Sequence, residues 1–521
     1  METQVLIIGG GATGTAVARD LALRGLACVL VERHDLNAGA SGRNHGLLHS
    51  GARYVSKDRE TAIECREEGT LLKRLAPHCI QDTGGYFVAV AGDDERYVAA
   101  FPGMCARAGI EARAVPVAEA RQREPALSAR TIAVYEVPDA SIDPFMLSLD
   151  TMAHAEQRGA RLLRRTELTA FERDGGRIRA ARVRDTLSGE ALTIEAELVV
   201  NAAGAWARGV AALAGADLPM VCSKGTLVIT HARLADRVLN RLRPPSDADI
   251  VMPGGTVSIA GTTSTTVQEL EPIEPTVEEV DLIIEEAATM LPLLDDARCI
   301  RAYSGVRPLV SASADGSADA RAASRGFALV DHARDGIPNL VTITGGKLTT
   351  CRLMAERTSD LVAARLGVRA PCRTREEPLP STAGARWTQP GLAPRAWMRD
   401  HAPEDALVCE CEMVSRATLD AIGASLGGAP GTVLADLALR SRLGKGACQG
   451  TFCTVRAVAH LYDRGVLSGE EGLRESVEFL RERWRGLRPV LWGDQLAQAE
   501  LAEAIHCALH GEELSGHARS R

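Results

Sequence analysis

Thr3-Gln-Val-Leu-Ile-Ile-Gly-Gly-Gly-Ala-Thr-Gly14 decides the fold. An apolar run, Thr3–Ile8, reads as a parallel strand buried on both faces. It runs into glycines at 9, 11 and 14, the G-x-G-x-x-G pattern. The first glycine permits a tight turn, the second lets backbone approach a pyrophosphate, and the third lets helix and strand pack closely. Thr13–Arg24 has helical spacing and Ala27–Val31 is a second apolar strand, completing a βαβ unit. Glu32 ends that strand 18 residues beyond Gly14 (32 minus 14), close to where a ribose-binding acid belongs. Phosphates fit at the helix N-terminus, where unpaired N–H groups and the helix dipole favour negative charge.

A second Gly-rich turn, Thr344-Gly-Gly-Lys-Leu-Thr-Thr350, follows an apolar strand far along the chain. A cofactor as long as FAD needs its distal end held by such a segment, which favours FAD over NAD. Glu197–Val200, Phe327–Val330 and Leu340–Ile343 read as further strands, Val277–Met290 as a helix, and Thr349 to Leu366 as another. The expected class is α/β: a Rossmann-like FAD-binding domain with an inserted α+β substrate domain and a small cysteine-bearing helical domain. The oxidoreductase domain spans 1–370. Its FAD-binding part is about 1–75, 140–215 and 325–370, and its substrate part about 76–139 and 216–324. A Pro-rich linker is expected at 371–404, a metal-binding domain at 405–465 and a helical tail at 466–521. In that tail Leu496, Leu501, Ile505 and Leu509 fall near one face, and docking onto the protein's own body is expected.

Bulk composition narrows the function. The 521 residues are 45% hydrophobic and 25% charged, with a formal charge of −8 and 3% aromatics. Mild acidity and few aromatics argue against nucleic-acid binding. The apolar start without a basic leader and the thirteen scattered cysteines suggest a reducing cytoplasm. No apolar run is long enough to span a membrane. Cys409-Glu-Cys411 and Cys448-Gln-Gly-Thr-Phe-Cys453, separated by 36 residues, bring four thiolates together, suited to iron–sulfur or zinc. C-x-C is unusual for structural zinc, and helix-starting Cys453 favours a negative cluster. The other nine cysteines, at 28, 65, 79, 105, 222, 299, 351, 372 and 507, have no ligand spacing and read as small hydrophobes.

Four motifs give a resemblance: His45-Gly-Leu-Leu-His-Ser-Gly-Ala-Arg-Tyr54, Ser304-Gly-Val-Arg-Pro-Leu309, Ser324-Arg-Gly-Phe327 and Gly345-Gly-Lys-Leu348. Together the chain resembles the FAD-dependent glycerol-3-phosphate dehydrogenase family, of glycine-oxidase-like fold. Val31-Glu-Arg-His-Asp35, Gly42-Arg-Asn-His45, Glu482-Arg-Trp-Arg-Gly486, Trp492-Gly-Asp494 and the cysteine extension point to the large catalytic subunit of its anaerobic, three-subunit branch. The segment around Gly444-Lys-Gly-Ala-Cys-Gln-Gly450 resembles a bacterioferritin-associated-ferredoxin-like [2Fe–2S] domain, with ligands Cys409, Cys411, Cys448 and Cys453.

The resemblance implies a phosphate and glycerol pocket of Arg53, Tyr54, Arg307, Arg325 and Lys347, and His49 as the catalytic histidine, with His45 competing. Arginine forks suit a phosphate monoester, and imidazole suits removal of a hydroxyl proton. Arg307 is also placed to stabilise a developing alkoxide. Glu32 and Arg33 are expected to bind the cofactor, and flavin contacts are expected from Ser41, Arg43, Asn44, the Asn201–Gly204 turn, Gly346, Leu348 and Thr349. The implied activity is oxidation of sn-glycerol 3-phosphate to dihydroxyacetone phosphate by hydride transfer to FAD. Electrons then pass through the cluster toward quinone, by way of a partner flavoprotein and a membrane-associated iron–sulfur protein. Those partners imply a peripheral place on the cytoplasmic side of the membrane. Two other readings stay open here: a same-fold enzyme acting on an amino acid or 2-hydroxy acid, and a non-catalytic flavin and iron–sulfur electron carrier.

Overall fold

A computed structural model describes residues 1–310, 326–383, 393–426 and 433–509. The opening unit forms as its sequence demands. Strand β1 (Glu2–Ile8) and strand β2 (Cys28–Val31) run parallel, Val5 beside Cys28 and Ile8 beside Val31, joined by helix α1 (Ala12–Leu23). Val5, Leu6 and Ile7 are inaccessible because helices and a second layer cover both faces of the sheet. Among the described residues this first sheet has eight strands. Ala191–Asn201 lies parallel to β1 on its other side, and Leu340–Gly345 lies parallel to Ala191–Asn201. The carboxyl ends of these strands therefore open on one crevice, where doubly wound sheets bind ligands.

The second sheet has nine strands among the described residues and draws on two stretches of chain. Gly85–Val90, Arg113–Val115 and Thr131–Val137 come from the first. Met220–Thr230 through Cys299–Val310 come from the second. Gly85–Val90 and Val238–Arg241 pair in parallel and join the two. Helix Val277–Ala288 packs on this sheet, its first turn closed by a reciprocal Thr276–Glu279 capping box. Long, half-buried antiparallel strands give this layer one wall facing the first domain's crevice.

Residues 371–383 differ from a linker. Leu379 is buried and its N–H donates to Leu75 O at 2.9 Å, while Thr374 Oγ1 accepts from Arg352 at 3.1 Å. The segment, a turn followed by the short helix Pro380–Ala383, is a strap that packs on the FAD-side core rather than a free tether.

The cysteine-bearing unit is helical: Arg416–Ser425, Val433–Ser441, Cys453–Asp463 and Glu471–Leu487 enclose Leu434, Leu437, Leu443 and Phe479. Ion pairs seat it on the first domain. Arg440 forks onto Asp35 at 2.9 and 2.8 Å, Arg165 reaches Asp436 at 2.6 Å, and Arg164 donates to Leu426 O at 2.8 Å. The Asp35 carboxylate is almost wholly buried, so this bidentate pair is screened less than a surface pair. The tail corrects part of one expectation: Leu496 and Leu501 are 54% and 62% exposed, so their part of the face is uncovered, while Ile505 is half-buried beside His506, which meets Thr451 O at 2.9 Å. Helix Asp494–Ala504 is held instead at its start, where Gln495 donates to Val490 O at 2.5 Å. Among the described residues no helix is long and apolar enough to cross a membrane.

Candidate functional site

One cavity of about 2620 Å³ runs from the glycine turn, past the second sheet, to the cysteine-bearing unit. At its first end Gly9 has φ +110°, and a Cβ at Gly14 would lie 1.9 Å from Gly9 O. Neither position tolerates a side chain, which is the cradle a pyrophosphate requires. A Cβ at Gly11 would lie 2.9 Å from Ser41 Oγ, which accepts from Ala12 N–H at 2.9 Å. Glu32 accepts from Gly10 N–H at 2.7 Å and from His34 N–H at 2.9 Å. Each carboxylate oxygen keeps a lone pair for a ribose hydroxyl. These residues fit the dinucleotide end of FAD.

The other expected flavin contacts fall along the same walls. Arg33 lies over the Trp206 ring at 4.6 Å and pairs with Glu271. Asn44 accepts from Gly46 N–H and donates to Ser41 O, both at 2.7 Å, so it shapes the Ser41–Gly46 loop from within. Arg43 lies in that loop, its carbonyl packed against Gly305. Gly204, at φ +56°, has its carbonyl fixed by the Thr344 hydroxyl at 3.2 Å. Gly346, at φ +69°, would meet Met354 Sδ at 2.5 Å with any Cβ. Leu348 is half-buried, and Thr349 Oγ1 accepts from His49 N–H at 3.1 Å. The second Gly-rich turn thus touches the histidine loop directly.

His49, Tyr54 and Lys347 converge. His49 Nε2 is 3.3 Å from Tyr54 Oη, and Lys347 Nζ lies 4.3 Å from the Tyr54 ring centroid. His45 is 6.0 Å from His49, ring to ring. Burial, then His45, Lys347 and Arg53, holds His49 well below the usual imidazole range. Burial, then Arg307 and Arg53, pushes His45 down to about 3. Both rings are therefore neutral at physiological pH and face a cationic wall. Arg307 enters from the second sheet, donating to Thr263 O at 3.2 Å and to the Thr262 hydroxyl. Arg53 pairs with Asp249 at 2.9 Å and donates to Ser246 O at 3.1 Å, so it reaches the cavity as half of an ion pair. Arg325 lies outside the described residues.

Sequence reasoning missed Asp139. It is 2% exposed, and its carboxylate accepts from Ser50 N–H at 2.7 Å and from Asn240 at 3.1 Å. It anchors the backbone beside His49. An aspartate between Pro138 and Ala140 carries no motif, so only the fold reveals it.

At the far end Cys411 lines the cavity, with the other three cysteines beside it. Cys409 touches Cys411 and Cys453, and Cys448 touches the same two, closing a ring of thiols. Backbone amides of Glu412 and Gly444 point at the Cys409 sulfur, and those of Gly450 and Phe452 at Cys448. A Cβ at Gly446 would lie 2.2 Å from Cys411 Cβ. Among the described residues no three or more His, Cys, Asp or Glu converge as one metal ion would require. Six of the other cysteines are buried, as small hydrophobes; Cys222, Cys372 and Cys507 are half-buried.

The FAD dependent oxidoreductase family model matches residues 4–361. The chain is 42% identical to the A subunit of the anaerobic glycerol-3-phosphate dehydrogenase of Escherichia coli (strain K12), over 98% of this chain and 97% of the relative. It is 40% identical to the A1 subunit of the Haloferax volcanii enzyme of the same name, over 97% and 90%. Its fold is similar to that of glycerol-3-phosphate dehydrogenase from Bacillus halodurans complexed with FAD, with a TM-score of 0.63, 22% identity and coverage of 94% and 96%. Glycine oxidase from Bacillus cereus is similar over 70% of this chain and 95% of that one, with a TM-score of 0.55 and 22% identity. This chain therefore belongs, over residues 4–361, to the FAD dependent oxidoreductase family and, over nearly its whole length, to the anaerobic glycerol-3-phosphate dehydrogenase A subunits.

Proposed function

We propose that this protein oxidises sn-glycerol 3-phosphate to dihydroxyacetone phosphate with FAD as hydride acceptor. The observation that carries this reading is a buried His49 packed against Tyr54, whose ring carries the Lys347 ammonium, with the His49 backbone bonded to the turn that would hold the flavin's far end. FAD, when bound, accepts the hydride leaving C2 of the substrate. His49 takes the proton of the C2 hydroxyl, a role its depressed basicity permits because its neutral form persists. Lys347 and Arg307 attract the phosphate, and their charge favours an oxygen that becomes negative as its proton leaves. Tyr54, under the Lys347 ammonium, holds the imidazole in place.

The cysteine ring extends the same reading. A [2Fe–2S] cluster on Cys409, Cys411, Cys448 and Cys453 would supply a one-electron acceptor. A ring of pairwise contacts suits a centre with two metal atoms, and amides aimed at sulfur suit a cluster of negative charge. Such an exit favours delivery to partner subunits and then quinone over reaction with oxygen. The partners would include a second flavoprotein and a membrane-associated iron–sulfur protein, which would hold this chain peripherally on the cytoplasmic face.

The test is an anaerobic titration with glycerol 3-phosphate, followed by flavin absorbance and electron paramagnetic resonance. Bleaching of the flavin band and then a reduced-cluster signal are expected. An FAD-replete protein whose flavin stays oxidised would refute the substrate; bleaching without iron or signal would refute the cluster.

A further inference from the structure

We propose that Phe145 and Lys445 form the seat by which the cysteine-bearing unit meets the flavin-binding loop, and that this seat controls electron exit from the flavin. The inference rests on the cluster reading above and adds Phe145, which no motif marks, and Lys445, which the glycine stretch beside the cysteines contains without assigning it a role. Phe145 opens helix Pro144–Gln157, whose cap, Asp143, accepts from Phe145 N–H at 2.9 Å. One edge of the ring lies against the flavin-side loop: a Cβ at Gly42 would be 3.0 Å from Phe145 Cε1. Its face carries Lys445, whose Nζ is 3.8 Å from the ring centroid. The next residue, Gly446, packs on Cys411 so closely that no Cβ fits. Gly42, Phe145, Lys445, Gly446 and Cys411 thus form one packed line from flavin loop to cysteine ring.

A parallel polar line supports it. Arg442 approaches Asp143 at 4.0 Å and donates to Glu412, beside Cys411, at 2.7 Å. The Arg440–Asp35 and Arg165–Asp436 pairs hold the unit from the side. Those pairs tether it; the Phe145–Lys445 contact sets how closely the cysteine ring sits. Burial, then Arg442 and Arg483, lowers the Lys445 pKa, while Asp143 and Glu412 oppose that; the Phe145 face adds to their support of the ammonium, since a cation on an aromatic face is strongest where water is excluded. With FAD and a cluster bound, electrons would cross singly: each electron leaving the reduced flavin would be taken up by the cluster and passed to an added one-electron acceptor before the second follows.

The experiment uses the full chain with FAD and iron, in wild type, Lys445→Met, Lys445→Arg and Phe145→Leu. Iron and FAD per chain are measured first. Flavin reduction by glycerol 3-phosphate is followed by stopped flow, and cluster reduction by freeze-quenched paramagnetic resonance. Backbone hydrogen exchange is followed across 443–453, with and without iron. In Lys445→Met, flavin reduction should stay within about twofold while flavin-to-cluster transfer falls roughly tenfold, as expected if the seated state drops to about a tenth of molecules. Exchange across 443–453 should rise, also without iron. Lys445→Arg, which keeps a cation on the ring, should restore both, and Phe145→Leu should resemble Lys445→Met. Wild-type transfer rates or unchanged exchange in Lys445→Met and Phe145→Leu would overturn the seat. Wild-type protein with FAD and no iron would overturn the route together with the cluster reading, and is seen before any variant is compared.

Discussion

Replacing Arg352 by methionine should cost stability and loosen the histidine loop together. Arg352, 4% exposed, opens the helix Cys351–Arg365 directly after the second Gly-rich turn. It forks onto Glu68, 1% exposed, at 2.7 and 2.6 Å. Glu68 precedes Gly69, where a Cβ would lie 3.0 Å from His49 O. The pair therefore ties the flavin turn to the helix beneath the histidine. Met keeps the arginine stem's packing and strands a buried carboxylate, at a cost of about 3–5 kcal/mol. Burial already raises the Glu68 pKa, opposed by Arg352, and losing the arginine raises it further. A carboxyl whose folded-state pKa is raised gains stability as pH falls through that value, because the folded protein binds the proton. The deficit should thus be larger at about pH 8 than at about pH 5.5. Urea midpoints and slopes for Arg352→Met, Glu68→Leu and the double variant measure it. The double variant should recover about 2 kcal/mol, since it removes the buried Glu68 charge, while Glu356, which also pairs with Arg352, keeps Arg375. A loss under about 1 kcal/mol for Arg352→Met, or a double variant as unstable as the single, would refute the reasoning.

Four further outcomes follow from the site. His49→Gln should slow flavin reduction by glycerol 3-phosphate by about 10²–10⁴-fold while FAD content holds. With His49 depressed well below 6.5, the wild-type rate should show no loss from this group near that pH, falling only in more acid solution; a His49-dependent limb at about 6.5 would contradict its burial. Gly14→Ala forces a methyl to 1.9 Å from Gly9 O, so FAD should be lost on purification, at a cost of about 1–3 kcal/mol or more; a yellow, stoichiometric variant would contradict the cradle. Cys411→Ser should remove iron and the cluster signal yet leave anaerobic bleaching of the flavin by substrate; retained iron would exclude Cys411 as a ligand.

The fold was legible wherever local pattern and tertiary role coincide. An apolar run ending in glycines at 9, 11 and 14 can bury both faces and bend tightly in few ways, so strand, turn and helix formed within a residue or two of expectation. Cys453 opens a helix as expected. The strap at 371–383 was misread because prolines signal irregular backbone whether or not that backbone is packed. Leu496 and Leu501 show the converse: periodicity marks an apolar face without saying that anything in the same chain covers it.

By itself the sequence determined the dinucleotide cradle, the two-layer α/β plan and the family, because backbone freedom and burial periodicity are local. Only the tertiary structure decided which charges face which. It sets Lys347 over Tyr54 and Tyr54 against His49, gives Arg53 to Asp249, and buries Asp139 beneath Ser50. It also places the cysteine ring at the end of the cavity that begins at Gly9. These pairings join residues far apart in the chain, and whether a cation meets an acid, a ring or a ligand depends on distance and desolvation, which no spacing along the sequence encodes.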